Sequence, residues 1–158
     1  MSELQPPATA PVPDLLHEDS LHYTPVLRTV GLARRRAARL VGEWGYPALA
    51  GDVAVVVSEL TSNALLHGSL RDRLIRVRLA VTRTALTVEV DDPRGERLPC
   101  PREVSDEDRF GRGLLLVGAL TDDWGVRPRP AGVGKTVWAQ WHLGVTLCGT
   151  DAHMGAEG

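Results

Sequence analysis

The sequence predicts an α/β fold, a two-layer sandwich in which helices cover one face of a mostly antiparallel mixed sheet. Three observations predict it. Residues 26–67 carry two successive stretches of helical period. Residues 74–91 and 124–142 each carry two strand-like runs joined by a turn, and a short apolar helix-like run lies between these pairs. Helices beside antiparallel strand pairs build a sandwich, not a doubly wound parallel sheet. With 158 residues, the chain is long enough for one domain with a real core.

The elements follow in order. Residues 1–18 hold Pro6, Pro7, Pro11 and Pro13 among small residues and read as a disordered leader. The domain spans 19–143, and the Gly-rich residues 144–158 read as a flexible tail. Ser20 to Tyr23 is expected to form a short edge strand. Val26, Val30, Ala33, Ala37, Leu40, Val41 and Trp44 have the spacing of a helix over 26–44, with Gly45 as its C-cap. Pro47 opens a second helix that runs to His67. Residues 74–81 alternate in part and 86–91 cleanly, so Thr82 to Ala85 is a hairpin turn. Residues 92–112 are polar and aperiodic, and a loop of about 20 residues inside a domain is often a functional lid. A helix then covers Leu114 to Leu120. Trp124–Arg127 and Thr136–His142 form a second hairpin, with Pro128, Pro130, Gly132 and Gly134 in its turn.

A net charge of −2 implies no general attraction to nucleic acid or membrane. Arg34, Arg35, Arg36 and Arg39 are locally dense. Consecutive helical residues point in different directions, so this is a solvated face or, on a sharper reading, a dock for an acidic partner. Cys100 and Cys148 form no C-x-x-C pattern, which fits a reducing cytoplasm. No uninterrupted apolar run approaches the ~18–20 residues of a membrane span. The N-terminus lacks the basic and apolar segments of a signal peptide.

Four segments could carry chemistry. In the second helix Glu59, Asn63 and His67 stand at i, i+4 and i+8, within an arc of about 80° beside Val56 and Leu60. This puts a carboxylate, an amide and an imidazole at the margin of the core, where unpartnered polar groups cost about 1–3 kcal/mol each. An Asn oxygen suits Mg²⁺, and a Glu one turn away can orient or deprotonate a hydroxyl. The plain alternative is a hydrogen-bonded polar helix edge. Second, the strand ending in Asp91-Asp92 could offer a carboxylate to an exocyclic amine, or Asp92-Pro93 could be ordinary turn chemistry. Third, Gly111-Arg112-Gly113-Leu114 could let backbone N–H groups approach a phosphate, or could be a hinge. Fourth, Gly132-Val133-Gly134-Lys135-Thr136 is not a P-loop: residue 129 is Arg rather than Gly, and a strand is expected to follow.

In this order the four segments resemble the GHKL (Bergerat-fold) ATP-binding domain. The spacing is most similar to the anti-sigma-factor serine/threonine kinase branch and its short actinobacterial ATP-binding relatives. The resemblance covers residues 20–142, and Ser58–Gly68 resembles the family's N-box. It implies ATP and Mg²⁺ as cofactors, with Glu59 as general base, Asn63 as the metal-coordinating residue and His67 near the phosphates. Asp92 would contact the adenine amine, with Asp91 as runner-up. Gly95 is the glycine that remains in the G1 region, Gly111, Arg112, Gly113 and Leu114 match the end of the ATP lid, and Thr136 would help hold the base. One departure stands out: the family's Asp-x-Gly-x-Gly is here Asp92-Pro93-Arg94-Gly95. No helical phosphoacceptor domain is expected, which argues against a histidine autokinase. The resemblance implies a small antagonist (anti-anti-sigma) protein and a sigma factor as partners, and a homodimer. Two readings stay open: a kinase for the antagonist, or a partner-binding module with weak or lost ATP binding.

Overall fold

The computed structural model describes residues 14–67, 73–92, 113–129 and 134–144. Five strands form one sheet: β1 (Leu15–Tyr23), β2 (Ile75–Thr82), β3 (Ala85–Asp92), β4 (Asp123–Pro128) and β5 (Lys135–His142), in the order β1-β2-β3-β5-β4. Two long helices, α1 (Arg28–Glu43) and α2 (Ala50–His67), pack on each other and on the sheet. A 3-10 turn, Pro47–Leu49, leads into α2. Residues 113–120 form a third helix, α3. Among the described residues every strand pairing is antiparallel, so the sheet is simpler than the mixed one the sequence predicts.

Period decides which side of each element is buried. Ile75, Val77, Leu79 and Val81 of β2 alternate into the core, as do Leu86, Val88 and Val90 of β3 and Val137, Ala139 and Trp141 of β5. They meet Val53, Val56, Val57, Leu60 and Ala64 of α2, and Ala33, Ala37 and Val41 of α1. The α1 residues are four apart and so share one face. Two of them are alanines, which lets the helices approach closely. Each fully buried Val or Leu contributes about 1.5–3 kcal/mol.

Local chemistry sets the ends. α1 stops in a Schellman arrangement: Tyr46 N–H donates to Val41 C=O at 3.0 Å and Gly45 N–H to Gly42 C=O at 3.1 Å. Gly45 has φ +99°, which favours glycine. The β2–β3 hairpin turns on Arg83–Thr84, where Thr82 Oγ1 accepts the N–H groups of Thr84 and Ala85.

β1 is longer than the predicted Ser20–Tyr23 and takes in Leu15 to Glu18, which the sequence assigns to the leader. It is an edge strand, largely exposed, so no burial alternation marks it. Two contacts tie it to α1. Arg36 donates to both carboxylate oxygens of Asp19, at 2.9 and 2.6 Å, and the His17 and Trp44 rings stack at 5.1 Å. The arginine cluster therefore splits. Arg36 is paired, Arg39 meets Glu43 at 3.2 Å, and Arg34 and Arg35 are exposed.

By length and composition, Pro47–Leu66 reaches what a membrane-crossing helix needs, although polar residues interrupt it. Its Val53, Val56, Val57, Leu60 and Ala64 lie in the core against the sheet. Residues 93–112 and 145–158, where the sequence predicts a lid and a tail, lie outside the described residues, as do Cys100 and Cys148.

Candidate functional site

Two hydroxyls on α2, those of Ser58 and Thr61, are satisfied by the helix itself. Thr61 Oγ1 donates to Val57 C=O at 2.6 Å, and Ser58 Oγ to Ala54 C=O at 2.9 Å. Asn63 is different. It is 7% exposed, and among the described residues nothing accepts a hydrogen bond from its Nδ2. Glu59 lies one turn earlier on the same face.

Gly113, at the start of the described part of α3, sits directly against this pair. A Cβ at 113 would lie 2.9 Å from Glu59 Oε2, 3.4 Å from Asn63 Nδ2 and 3.7 Å from Asn63 Oδ1. A side chain there would fill the space beside both groups; glycine leaves it to backbone. The structure thus brings Gly113 to Glu59 and Asn63, from which it lies far in sequence. Leu114 follows, half-buried, and His67 is the last residue of α2. Gly95, Gly111 and Arg112 lie outside the described residues.

What aims α3 at the stripe is its far end. Val117 is fully buried in the core. Trp141 Nε1 of β5 donates to Leu120 C=O at 2.8 Å. Asp122 N–H donates to Gln140 C=O at 3.0 Å, and Asp122 Oδ2 accepts from His142 N–H at 2.6 Å. The Trp124 indole lies against Gly118, 3.2 Å from where a Cβ would be. Sequence reasoning missed these anchors, because each joins residues that neither spacing nor motif relates.

The neighbouring carboxylates Asp91 and Asp92 are both 3% exposed, yet they lie on opposite faces. Asp92 continues the Leu86–Val88–Val90 row on the helix-covered face. It pairs in register with Lys135, whose Nζ lies 3.9 Å from Asp92 Oδ2. Asp91 continues the Thr87–Glu89 row on the open face. Its Oδ1 accepts from Thr136 Oγ1 at 2.7 Å, and its Oδ2 from Arg76 Nε at 2.6 Å. Arg129 Nε lies 3.7 Å from Oδ2. Burial pushes the Asp91 pKa up, but hydrogen bonds from Arg76 and Thr136 and the charges of Arg76 and Arg129 outweigh it. The carboxyl sits below its ordinary value. Thr136, expected beside the base, is therefore joined to Asp91 and not to Asp92. Lys135 was visible in the sequence, but its partner was not. Lys135 and Thr136 open β5, so a strand and not a helix follows Gly134, in keeping with the rejection of a P-loop.

Glu89 completes the open face. It is 6% exposed and accepts from Arg78 Nη1 at 2.9 Å and from Arg127 of β4, with Arg76 Nη2 at 3.9 Å. Arg78 also donates to Glu18 of β1 at 2.9 Å.

An antiparallel sheet covered by helices, with a Glu–Asn pair on α2 beside Gly113 of α3, agrees with an ATP-binding domain of the histidine kinase-like class. A family model described as a histidine kinase-like ATPase domain matches residues 24–141. The chain belongs to this family. Among curated proteins, none matches it. Membership implies ATP as ligand, and Mg²⁺ is usual for such domains. The residues present fit that ligand on two counts: a buried amide with no acceptor among the described residues, and a space beside it that any side chain at 113 would fill.

Proposed function

We propose that the chain is an ATP-binding regulatory protein of the anti-sigma-factor type, a serine/threonine kinase that phosphorylates a small antagonist protein and sequesters a sigma factor. The observation that carries this reading is Asn63, buried with an amide nitrogen that has no partner among the described residues and lying with Glu59 against Gly113. An unsatisfied group of this kind costs about 1–3 kcal/mol, a cost that a bound ligand recovers.

Bound ATP with Mg²⁺ supplies a transferable γ-phosphoryl group and the charge that activates it. Asn63 Oδ1 is the hard oxygen that would hold the metal. The Glu59 carboxylate orients the acceptor hydroxyl and takes its proton. Gly113 keeps its position free of side chain, so that backbone can lie close to anionic groups. Asp92 accepts a hydrogen bond from the exocyclic amine of the base. Catalysis rests on positioning and charge stabilisation. The partners on this reading are the antagonist, the sigma factor and a second copy of the chain, in the cytoplasm. The exposed Arg34 and Arg35 offer charge to an acidic partner.

The test is a melting curve with millimolar Mg·ATP. Wild type should rise by about 5 °C, and Asn63→Ala should show no rise. Labelled ATP with candidate antagonists then reads transfer, which Glu59→Ala should abolish while binding remains. No rise in the wild type would sink the kinase reading.

A second reading has one observation in its favour. Asp92 already faces the Lys135 ammonium at 3.9 Å, and Pro93 stands just before the position of the first G1 glycine. On that reading the chain binds its partner without phosphotransfer. Binding of a sigma factor with no transfer to any antagonist would select it.

A further inference from the structure

We propose that Asp91 is a positioning residue: with Arg76, Thr136 and Arg129 it clamps the end of β3 from the open face and so fixes the direction in which Asp92 presents its carboxylate on the other face. The inference rests on the reading of Asp92 as the acceptor for the base amine.

The geometry carries it. The β2–β3 ladder ends at Arg76↔Asp91, whereas the β3–β5 ladder runs one residue further, to Asp92↔Lys135. Asp91 is therefore the last residue of β3 paired in both ladders, and the pairing of Asp92 in register is with Lys135 of β5. Strand geometry links the two, because successive side chains point to opposite faces and a rotation at one redirects the next. Asp91 is fixed from three directions: Arg76 on β2, Thr136 on β5, and Arg129 just after β4. The remaining charge nearby, Glu89, holds Arg78 and Arg127 and stands 3.9 Å from Arg76, so it braces the same arginine.

Stability alone does not account for such a cluster. A buried ion pair is often no better than apolar residues of the same shape. What it supplies here is a defined orientation at the point where the ladder gives out.

The experiment measures the affinity of the full chain for Mg·ATP and for Mg·ITP, which has a carbonyl in place of the exocyclic amine. Wild type should prefer ATP by about tenfold, the value of one hydrogen bond to a charged acceptor. Asp92→Asn removes that preference. Asp91→Asn, which keeps the shape, should also bring the ATP:ITP ratio close to one while changing ITP affinity little. Glu18→Gln, which pairs with Arg78 at the exposed rim of the network and touches neither Arg76 nor Asp91, should leave the ratio intact. Arg76→Lys keeps the charge but loses the Nε donor. It should lower the ratio part-way, and it decides the matter if Asp91→Asn does not fold. A ratio that Asp92→Asn abolishes but Asp91→Asn and Arg76→Lys leave unchanged overturns the clamp alone. No preference in wild type overturns the clamp together with the reading of Asp92.

Discussion

The two faces of the sheet solve opposite problems. Under the helices the surface is mostly apolar, and among the described residues its polar groups include Thr61, Asn63 and Glu59 on α2 and Asp92 and Lys135 at the strand ends. One of these, the Asn63 amide, has no partner among the described residues. On the open face the charges are dense and matched: Glu18 to Arg78, Arg78 and Arg127 to Glu89, Arg76 and Thr136 to Asp91. A satisfied network holds strands in register. An unsatisfied group beside an apolar core marks the place where something from outside completes the structure. On the proposed reading the site lies under the helices, whereas charge density alone would point to the other face.

Four substitutions and one titration sharpen or break this contrast. The largest effect belongs to the apolar face. Leu60→Ala, at a site 2% exposed, should cost about 2–5 kcal/mol in urea unfolding. A cost under about 1 kcal/mol would mean that the helices contribute little to the core. Next comes Glu89→Ala, which leaves three arginines facing a buried gap and should cost about 1–3 kcal/mol. The titration concerns Asp91. Its folded pKa lies below the unfolded value of about 4, so its contribution is complete above that value and is lost as pH falls through the folded pKa. Stability measured from about pH 5 downward should fall less steeply in Asp91→Asn than in wild type. Asn63→Leu should act in the opposite direction. It removes the orphaned amide and should stabilise the nucleotide-free protein by about 1 kcal/mol, while abolishing any rise in Tm with Mg·ATP. A destabilised variant would show that the amide is satisfied in solution. Glu18→Ala, at the exposed rim of the same ladder as Glu89, should cost under about 1 kcal/mol.

Most elements were legible from period and punctuation. α1 and α2 lie within a few residues of their predicted spans, because Ala33, Ala37 and Val41 repeat every four residues and Gly45 and Pro47 punctuate the join. β3 and β5 alternate cleanly because one of their faces is apolar. β1 was half missed, since an exposed edge strand has no buried side to announce it. The Glu59–Asn63 pair was legible for the reason that exposes it: polar side chains at helical spacing stand out beside a valine-rich core. The face of Asp91 against that of Asp92 was not. One residue of register decides it, and register is set by pairing with β2 and β5, which no local pattern reports. The anchoring of α3 was invisible for the same reason.

The four tryptophans stand at joints of the molecule. Trp44 stacks on His17 between helix and edge strand, and Trp138 lies across Gly125 on the open face. Trp124 and Trp141 both touch α3, one against Gly118 and one through its N–H to Leu120. Indole emission depends on the polarity around the ring and on its hydrogen bonding. The chain therefore carries its own optical gauge of α3, read without a label and at two points along a helix whose other end rests on Glu59 and Asn63.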